Sequence, residues 1–149
     1  MCANFQPPPP ETLIAMGLGI ALDSYRSDVY PQQSAPVVTS ENPELAVLGS
    51  FGLVPQWAEK RHARFTYNAR TETVATKPSF RDAWRQGRLA IVPMLAFYEP
   101  CYESGRAVRH RISRVDGAPF WVAAIWEPAR AETASLDDVA SSFSLLTIN

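Results

Sequence analysis

The sequence predicts one α+β domain over residues 1–149, rich in β-strand and barrel-like, with a few short helices. The chain has 149 residues, which is within the usual size of a single domain. Its 13 prolines, with 46% hydrophobic and 19% charged residues, favour strands and loops over a helical bundle. Short apolar runs bounded by glycine or proline follow one another without an internal repeat or a second domain set off by a linker.

The first half of the chain begins with an extended segment and reaches its first clear strand after residue 44. The proline run at residues 7–10 is typical of polyproline geometry, and a short helix is predicted to begin near Glu11. Residues 24–43 are polar and punctuated by proline, so they give no strand signal. Leu45–Phe51 predicts a buried strand, which a turn containing Gly52 ends.

The second half contains the clearest helix signal and a long apolar run. Pro78 stands near the start of a predicted helix whose apolar side chains share one face, and Gly87 ends it. Residues 89–98 are apolar and predict one strand.

Two further strands are predicted to pair as a hairpin. Residues 108–115 alternate basic with apolar or small side chains, and Asp116-Gly117, a dipeptide typical of tight hairpin turns, leads into an apolar run at 119–126. Residues 129–140 are a polar excursion, and residues 142–148 predict a last strand.

Charge is distributed unevenly along the chain, although the formal net charge is −1. Residues 1–59 contain one basic and six acidic side chains, residues 60–114 contain 12 and four, and residues 115–149 contain one and five. The middle segment therefore carries +8 between acidic flanks of −5 and −4. It forms a footprint for a polyanion if its basic residues converge on one face, and otherwise a solvated surface balanced by the flanks.

Several classes of protein are disfavoured by composition. The sequence contains no apolar run long enough to cross a bilayer and no secretory leader, so we expect a cytoplasmic protein with no membrane partner. Cys2 and Cys101 are expected to be free thiols. Two cysteines and two histidines lie scattered without metal-ligand spacing, so no metal and no cofactor is predicted. A monomer is expected.

Cys2 directly follows Met1, and removal of Met1 would leave one residue with both a free α-amine and a thiol. The reference pKa is about 7.7–8.0 for an α-amine and about 8.5 for a thiol, so both groups supply some nucleophile near neutral pH. Such an aminothiol captures an aldehyde, first as a Schiff base and then as a thiazolidine ring. A cysteine at position 2 also occurs by chance, so this position alone does not establish a function.

Four separated segments together resemble the SRAP family, the SOS response-associated peptidases. They are MCANF at 1–5, FGLVPQW at 51–57, NARTETVATKPSFRDAW at 68–84 and FYEP at 97–100. The long segment that begins with Asn-Ala-Arg is the most specific of the four. The order and spacing of all four segments support the resemblance over most of the chain.

The resemblance implies an enzyme that senses abasic sites in single-stranded DNA during the DNA damage response. Autocatalytic removal of Met1 would free Cys2, which captures the ring-opened aldehyde of the damaged sugar as a covalent thiazolidine. Asn68 would hold the α-amine by hydrogen bonding. Glu99 would transfer protons during ring opening and assist Met1 removal.

The resemblance also implies contacts to DNA and shows departures from the family pattern. The predicted DNA-binding residues are Asn4, Trp57, Arg70, Lys77 and Thr147, with Arg70 on a phosphate. Asn4 stands where the family start, Cys-Gly-Arg-Phe, has arginine, so it offers only a neutral contact. The family's His-x-Arg-x-Pro motif has no counterpart up to Asn149, and we therefore expect the domain to lack the family's C-terminal part.

Two other classes of function stay open at the level of sequence. One is a binding module that keeps a basic cleft for single-stranded DNA but has no chemistry. The other is a cysteine peptidase acting on other proteins, which is less favoured because the sequence shows no His-Cys-Asn arrangement. A covalent adduct resists high salt and denaturant, whereas electrostatic binding does not, so the first alternative can be tested directly.

Overall fold

A computed structural model describes residues 2–130 and 139–149 of the chain. The strands, in chain order, are β1 Phe5–Gln6, β2 Gly19–Ala21, β3 Ser34–Thr39, β4 Leu45–Phe51, β5 Asn68–Arg70, β6 Leu89–Met94, β7 Ala96–Cys101, β8 Val108–Ile112, β9 Phe120–Pro128 and β10 Ser141–Thr147. The helices are α1 Pro10–Ala15, α2 Arg81–Arg85 and a 3-10 helix at Lys60–Phe65. None of these helices in the described part of the chain has the length and apolarity needed to span a membrane.

Five strands close into a barrel. Each neighbour in the series β4, β3, β6, β9 and β10 is paired antiparallel, and β10 then pairs parallel with β4, as Ser142 opposite Ser50 and Phe143 opposite Phe51 show. The short strands β2 and β5 extend the sheet beside β4 and β10. The predicted β-rich, barrel-like α+β domain with a few short helices is therefore confirmed.

A second sheet of three strands places the N-terminus against the barrel. Its order is β1-β7-β8, with Phe5 opposite Phe97 in the first pair and Glu99 opposite His110 in the second. Strand β7 follows β6 after a break at Leu95, so the chain leaves the barrel for the second sheet at that point. The first residues of the chain consequently lie beside β7.

The barrel core is aromatic. Phe5, Phe51 and Phe143 are fully buried, with ring centroids 5.1 Å apart for Phe5 and Phe51 and 5.5 Å apart for Phe51 and Phe143. Burying one such ring contributes about 1.5–3 kcal/mol, so these rings account for a substantial part of the stability. Trp126 is also buried, as expected for a packing residue, whereas Trp121 is 40% exposed.

Several predicted elements are confirmed at the residue level. Strand β4 has the predicted bounds, helix α1 is short and begins one residue before Glu11, and α2 lies between Pro78 and Gly87. The last strand, β10, also forms where predicted. The predicted polar excursion falls largely outside the described residues.

Three predictions about strands are wrong. Strand β3 lies within residues 24–43, which gave no strand signal because Pro36 interrupts the run, yet five of its six residues are buried. The single strand predicted at 89–98 is two strands, β6 and β7, in different sheets. The predicted hairpin does not form, because β8 folds back on β7 while β9 pairs with β6 and β10.

Gly52, at the end of β4, is expected to tolerate no side chain. Its φ is +122°, and a Cβ there would lie 2.2 Å from the carbonyl oxygen of Ala63. Gly52→Ala combines backbone strain with overpacking, so we expect it to lower the free energy of unfolding by roughly 2 kcal/mol or more. Gly105, with φ +77° and nothing within 4 Å, is the matched control, since alanine there adds strain alone. Urea unfolding curves of both variants should separate the two effects, and equal losses would contradict the predicted clash.

Candidate functional site

Three sequence-predicted residues from distant segments meet at the junction of the two sheets. Asn68 Nδ2 donates a hydrogen bond to the Cys2 carbonyl oxygen at 2.7 Å. The Cys2 thiol donates to the Asn4 carbonyl oxygen at 3.5 Å, and the charge of the nearby Glu99 carboxylate raises the pKa of the thiol. Only 7% of Cys2 is exposed, and the residue packs against the aromatic core. The structure therefore brings Cys2, Asn68 and Glu99 together.

Strand β5 explains why Asn68 points at Cys2. The strand pairs parallel with β10, with Asn68 opposite Leu145 and Arg70 opposite Thr147. Side chains alternate along a strand, so Ala69 packs into a second apolar cluster while Asn68 and Arg70 face the other side. Leu145, which shares that side, packs in the same cluster as Cys2.

Two buried polar atoms where β5 pairs with the end of β10 have no hydrogen-bond partner among the described residues. They are Asn68 Oδ1 and Thr147 Oγ1. Buried polar atoms in folded proteins are nearly always paired, so an unpaired one indicates a place where a ligand could supply a hydrogen bond. Because Asn68 Nδ2 is fixed on the Cys2 backbone, the orientation of Oδ1 is fixed as well.

The environment of Cys2 keeps its thiol protonated. The pKa of Cys2 is raised to about 11, chiefly by burial and to a smaller extent by the Glu99 carboxylate, while the hydrogen bond to the Asn4 backbone opposes both. Thiolate is the nucleophilic form of cysteine. A reaction of Cys2 near neutral pH therefore needs an acceptor for the thiol proton, and the candidate is the nearby Glu99 carboxylate, whose charge raises the pKa of the thiol.

The raised pKa predicts an unusual pH dependence for alkylation of Cys2 in the folded protein. At pH 8 only about one thiol in a thousand is ionised at a pKa of about 11, against about one in four at the ordinary value of about 8.5. Alkylation by iodoacetamide should therefore rise about tenfold for each pH unit up to about 11. Mass spectrometry of native and urea-unfolded protein measures this, with the unfolded sample levelling off near pH 9. A plateau near pH 9 in the native protein would contradict the prediction.

Asn4 is buried, and its side-chain amide is fully engaged in the fold. Its Nδ2 donates to Asp28 Oδ1 at 2.7 Å and to the Val29 carbonyl oxygen at 3.1 Å, and its Oδ1 accepts from Arg109 Nη2. The sequence did not single out Arg109. Alternation along β8 predicts that Arg109 and Arg111 lie on the same face of the strand. Which residues of other strands contact that face depends on the register of β8 against β7, which the sequence does not give.

Three of the other predicted DNA-binding residues lie at the surface. Arg70 and Lys77 are exposed, and Trp57 is 58% exposed with its ring 5.2 Å from that of His62. Thr147 is half-buried opposite Arg70. Among the described residues, no hydrogen bond or ring contact joins Trp57 or Lys77 to the Cys2 site, so their contacts to DNA stay a prediction.

A cavity of about 300 Å³ lies away from this site. It is near the start of β10, whereas Asn68 and Thr147 are near its end. Its lining includes Ser34, Ser142 and Lys60, and it contains none of the three site residues. No group of histidine, cysteine and acidic side chains in the described ranges is arranged to hold a metal ion.

Comparisons with known proteins identify the family of the chain and structures with the same fold. The sequence model of the family described as SOS response associated peptidase (SRAP) matches residues 17–149. A protein of Bordetella bronchiseptica has 29% identity and a TM-score of 0.82, over 99% of this chain and 72% of its own. No curated protein matches the sequence.

Two more distant structures support the fold alone. A protein of Bacteroides thetaiotaomicron has 21% identity and a TM-score of 0.80, covering 99% of this chain and 68% of its own. A phage-related protein of Bordetella bronchiseptica has 20% identity and a TM-score of 0.62, covering 99% of this chain and 69% of its own.

Proposed function

The chain belongs to the SRAP family, and from that premise we propose that it captures abasic sites in single-stranded DNA through Cys2. Met1 lies outside the described residues, and its autocatalytic removal would expose the α-amine of Cys2. That amine condenses with the ring-opened sugar aldehyde to an imine and releases one water. The thiol then adds across the imine carbon and nitrogen, forming the carbon–sulfur bond of a thiazolidine while its proton ends on the nitrogen.

The observation that carries the proposal is the hydrogen bond of 2.7 Å from Asn68 to the Cys2 backbone, beside an unpaired Asn68 Oδ1. An amide fixed in this way presents an acceptor at the N-terminal residue. A freed α-amine is the donor that such an acceptor would take. This supports a role for Asn68 in orienting the amine toward an incoming aldehyde.

Glu99 supports the proton transfers of the same reaction. The thiol is protonated at neutral pH, so closing the ring requires that its proton move to the imine nitrogen. A carboxylate close enough to influence the thiol can carry that proton and also assist sugar ring opening. The chemistry involves no change of oxidation state and needs no metal or cofactor.

The resemblance to the SRAP family suggests single-stranded DNA as the substrate, and a basic segment that contains Asn68 and Glu99 supports a polyanionic ligand. Residues 60–114 carry 12 basic and four acidic side chains, and they include Arg70 and Glu99. Exposed Arg70 on β5 is suited to a phosphate, and exposed Trp57 to a base, on which aromatic stacking contributes about 1–3 kcal/mol.

One gel and one mass spectrum test the proposal. The protein is incubated with a single-stranded oligonucleotide that contains one abasic site and, as control, with the same oligonucleotide intact. We expect a band that survives boiling in denaturant only with the abasic strand. Its mass should equal the sum of oligonucleotide and Met1-free protein less one water. Retention of Met1 on every molecule, or the absence of the band, would refute covalent capture.

A second candidate is a non-catalytic module that binds single-stranded DNA. The low exposure of Cys2, 7%, favours this candidate because a buried thiol is hard for a substrate to reach. Such a module retains the basic segment but offers no reachable nucleophile. Binding would then disappear at high salt, because released counterions drive it. A salt series on the abasic oligonucleotide, with and without a denaturing step, distinguishes the two functions.

A further inference from the structure

Arg109 is held at the edge of the Cys2 site by two contacts. Its Nη2 donates to Asn4 Oδ1, and its guanidinium lies 3.6 Å from the centroid of the Tyr98 ring. The side chain is exposed, as is the whole of β8. A guanidinium stacked on a ring and hydrogen-bonded at one corner has a defined position even though it faces solvent.

The orientation of Asn4 determines where Arg109 can bind. Asn4 Nδ2 donates to Asp28 Oδ1 and to the Val29 carbonyl oxygen, and both of these groups are acceptors. The amide is buried and cannot turn without losing both hydrogen bonds, so its oxygen stays directed at Arg109. Asn4 is two residues from Cys2, and an extended chain covers at most about 7 Å in that interval.

Arg109 also retains most of its binding capacity. A guanidinium has five N–H donors, and the contact with Asn4 uses one of them. No carboxylate in the described part of the chain forms a salt bridge with Arg109, whereas Arg114 is paired with Asp116 and Arg85 with Asp82. Four donors and a full positive charge therefore stand beside the nucleophile without a carboxylate partner.

We propose that Arg109 binds a phosphate that flanks the captured sugar, with Asn4 as the residue that positions it. The inference rests on the proposed function, because it takes the ligand to be single-stranded DNA at the Cys2 site. Two oxygens of a phosphate diester can accept parallel hydrogen bonds from one guanidinium. Because Arg109 is already held in position, less conformational entropy is lost when the phosphate binds. The preset arginine would thus place the sugar next to Cys2.

Three variants and two probes test this proposal. Arg109→Gln removes the charge, Arg109→Lys keeps the charge without the fork, and Arg111→Gln removes the same charge from the same face of β8, where Arg111 donates to Gln6. The first probe is a single-stranded oligonucleotide with an unreactive tetrahydrofuran in place of the abasic sugar, which reports binding without chemistry. The second is glycolaldehyde, which reports thiazolidine formation without a phosphate.

We expect Arg109→Gln to bind the tetrahydrofuran oligonucleotide about tenfold more weakly, as for the loss of one charge-assisted contact. The negative slope of log K against log salt should become shallower by about 0.7. Arg109→Lys should restore part of the affinity. Arg111→Gln should keep the wild-type affinity and slope. Glycolaldehyde should react at the wild-type rate in all three.

The outcomes separate the two proposals. Wild-type affinity and slope in Arg109→Gln would overturn the phosphate contact whether or not the protein crosslinks. A loss of glycolaldehyde reaction in Arg109→Gln would also overturn it, since the residue would then act on Cys2. Failure of the wild-type protein with both glycolaldehyde and abasic DNA would refute covalent capture. The effect of Arg109 on tetrahydrofuran DNA would still decide the phosphate contact.

Discussion

Cys2→Ser is expected to abolish the denaturant-resistant adduct with abasic single-stranded DNA, lowering its rate of formation by more than about 10³-fold. The substitution keeps the α-amine and almost the same volume at a buried position. Once Met1 has been removed, the variant can still form an imine with the sugar aldehyde, but a serine hydroxyl cannot close the sulfur-containing ring, so the imine hydrolyses. Gel electrophoresis after boiling measures the adduct, and borohydride should trap the imine in the variant.

Cys101→Ser is the matched control for this experiment. Cys101 is the other free cysteine, half-buried at the end of β7 and two residues from Glu99. Its replacement should leave adduct formation unchanged, because no α-amine adjoins that thiol. If Cys101→Ser lost the adduct while Cys2→Ser kept it, the assignment of the nucleophile would be wrong.

The sequence predicts those parts of the fold whose signals are local. Leu45–Phe51 forms as predicted because an apolar run with a following Gly52 determines both the strand and its end. Ser34–Thr39 was missed because Pro36 is a poor strand residue, although pairing with β4 on one side and β6 on the other buries the segment. The stabilisation from burial and strand pairing in the barrel exceeds the cost of placing Pro36 in a strand.

The pairing of strands depends on contacts between residues that are distant in the sequence, and local sequence patterns do not reveal these contacts. Asp116-Gly117 is a good turn, yet it joins strands in different sheets. The reason is that β7 leaves the barrel after Leu95 and offers an edge to β8, while β9 takes the place beside β6. A turn signal predicts a change of direction, but not the partner of the strand that follows it.

The site was predictable only in part for the same reason. Cys2, Asn68 and Glu99 were selected by resemblance to a family, and the structure brings them together through β5 and β7. The contact of Arg109 with Asn4 joins residues 105 positions apart, and it depends on the register of β8 against β7. Neither residue type nor spacing in the sequence indicates that contact.

The electrostatic relation of Glu99 to Cys2 contains two opposing effects. As a negative charge, the carboxylate disfavours the thiolate and slows any reaction that needs the thiolate beforehand. As a proton carrier, it allows the thiol to lose its proton during the reaction itself. A simple thiol alkylation reports the first effect, whereas capture of a sugar aldehyde reports the second.

Glu99→Gln should therefore move these two rates in opposite directions. Removing the charge lowers the pKa of Cys2, although burial keeps it above the ordinary value, so alkylation by iodoacetamide at pH 9 should become faster. Adduct formation with abasic DNA should become slower by about 10²-fold, the usual contribution of a general acid or base. Both rates can be followed by intact-protein mass spectrometry, which also reports whether Met1 has been removed.

Glu103→Gln provides the control, because Glu103 is an exposed carboxylate in the turn just beyond β7. It removes the same charge from a neighbouring site, and neither rate should change. A parallel loss of both rates in Glu99→Gln would indicate that the carboxylate only holds Cys2 in place. A faster alkylation with undiminished capture, in protein that has lost Met1, would mean that another group transfers the proton and that Glu99 acts only through its charge.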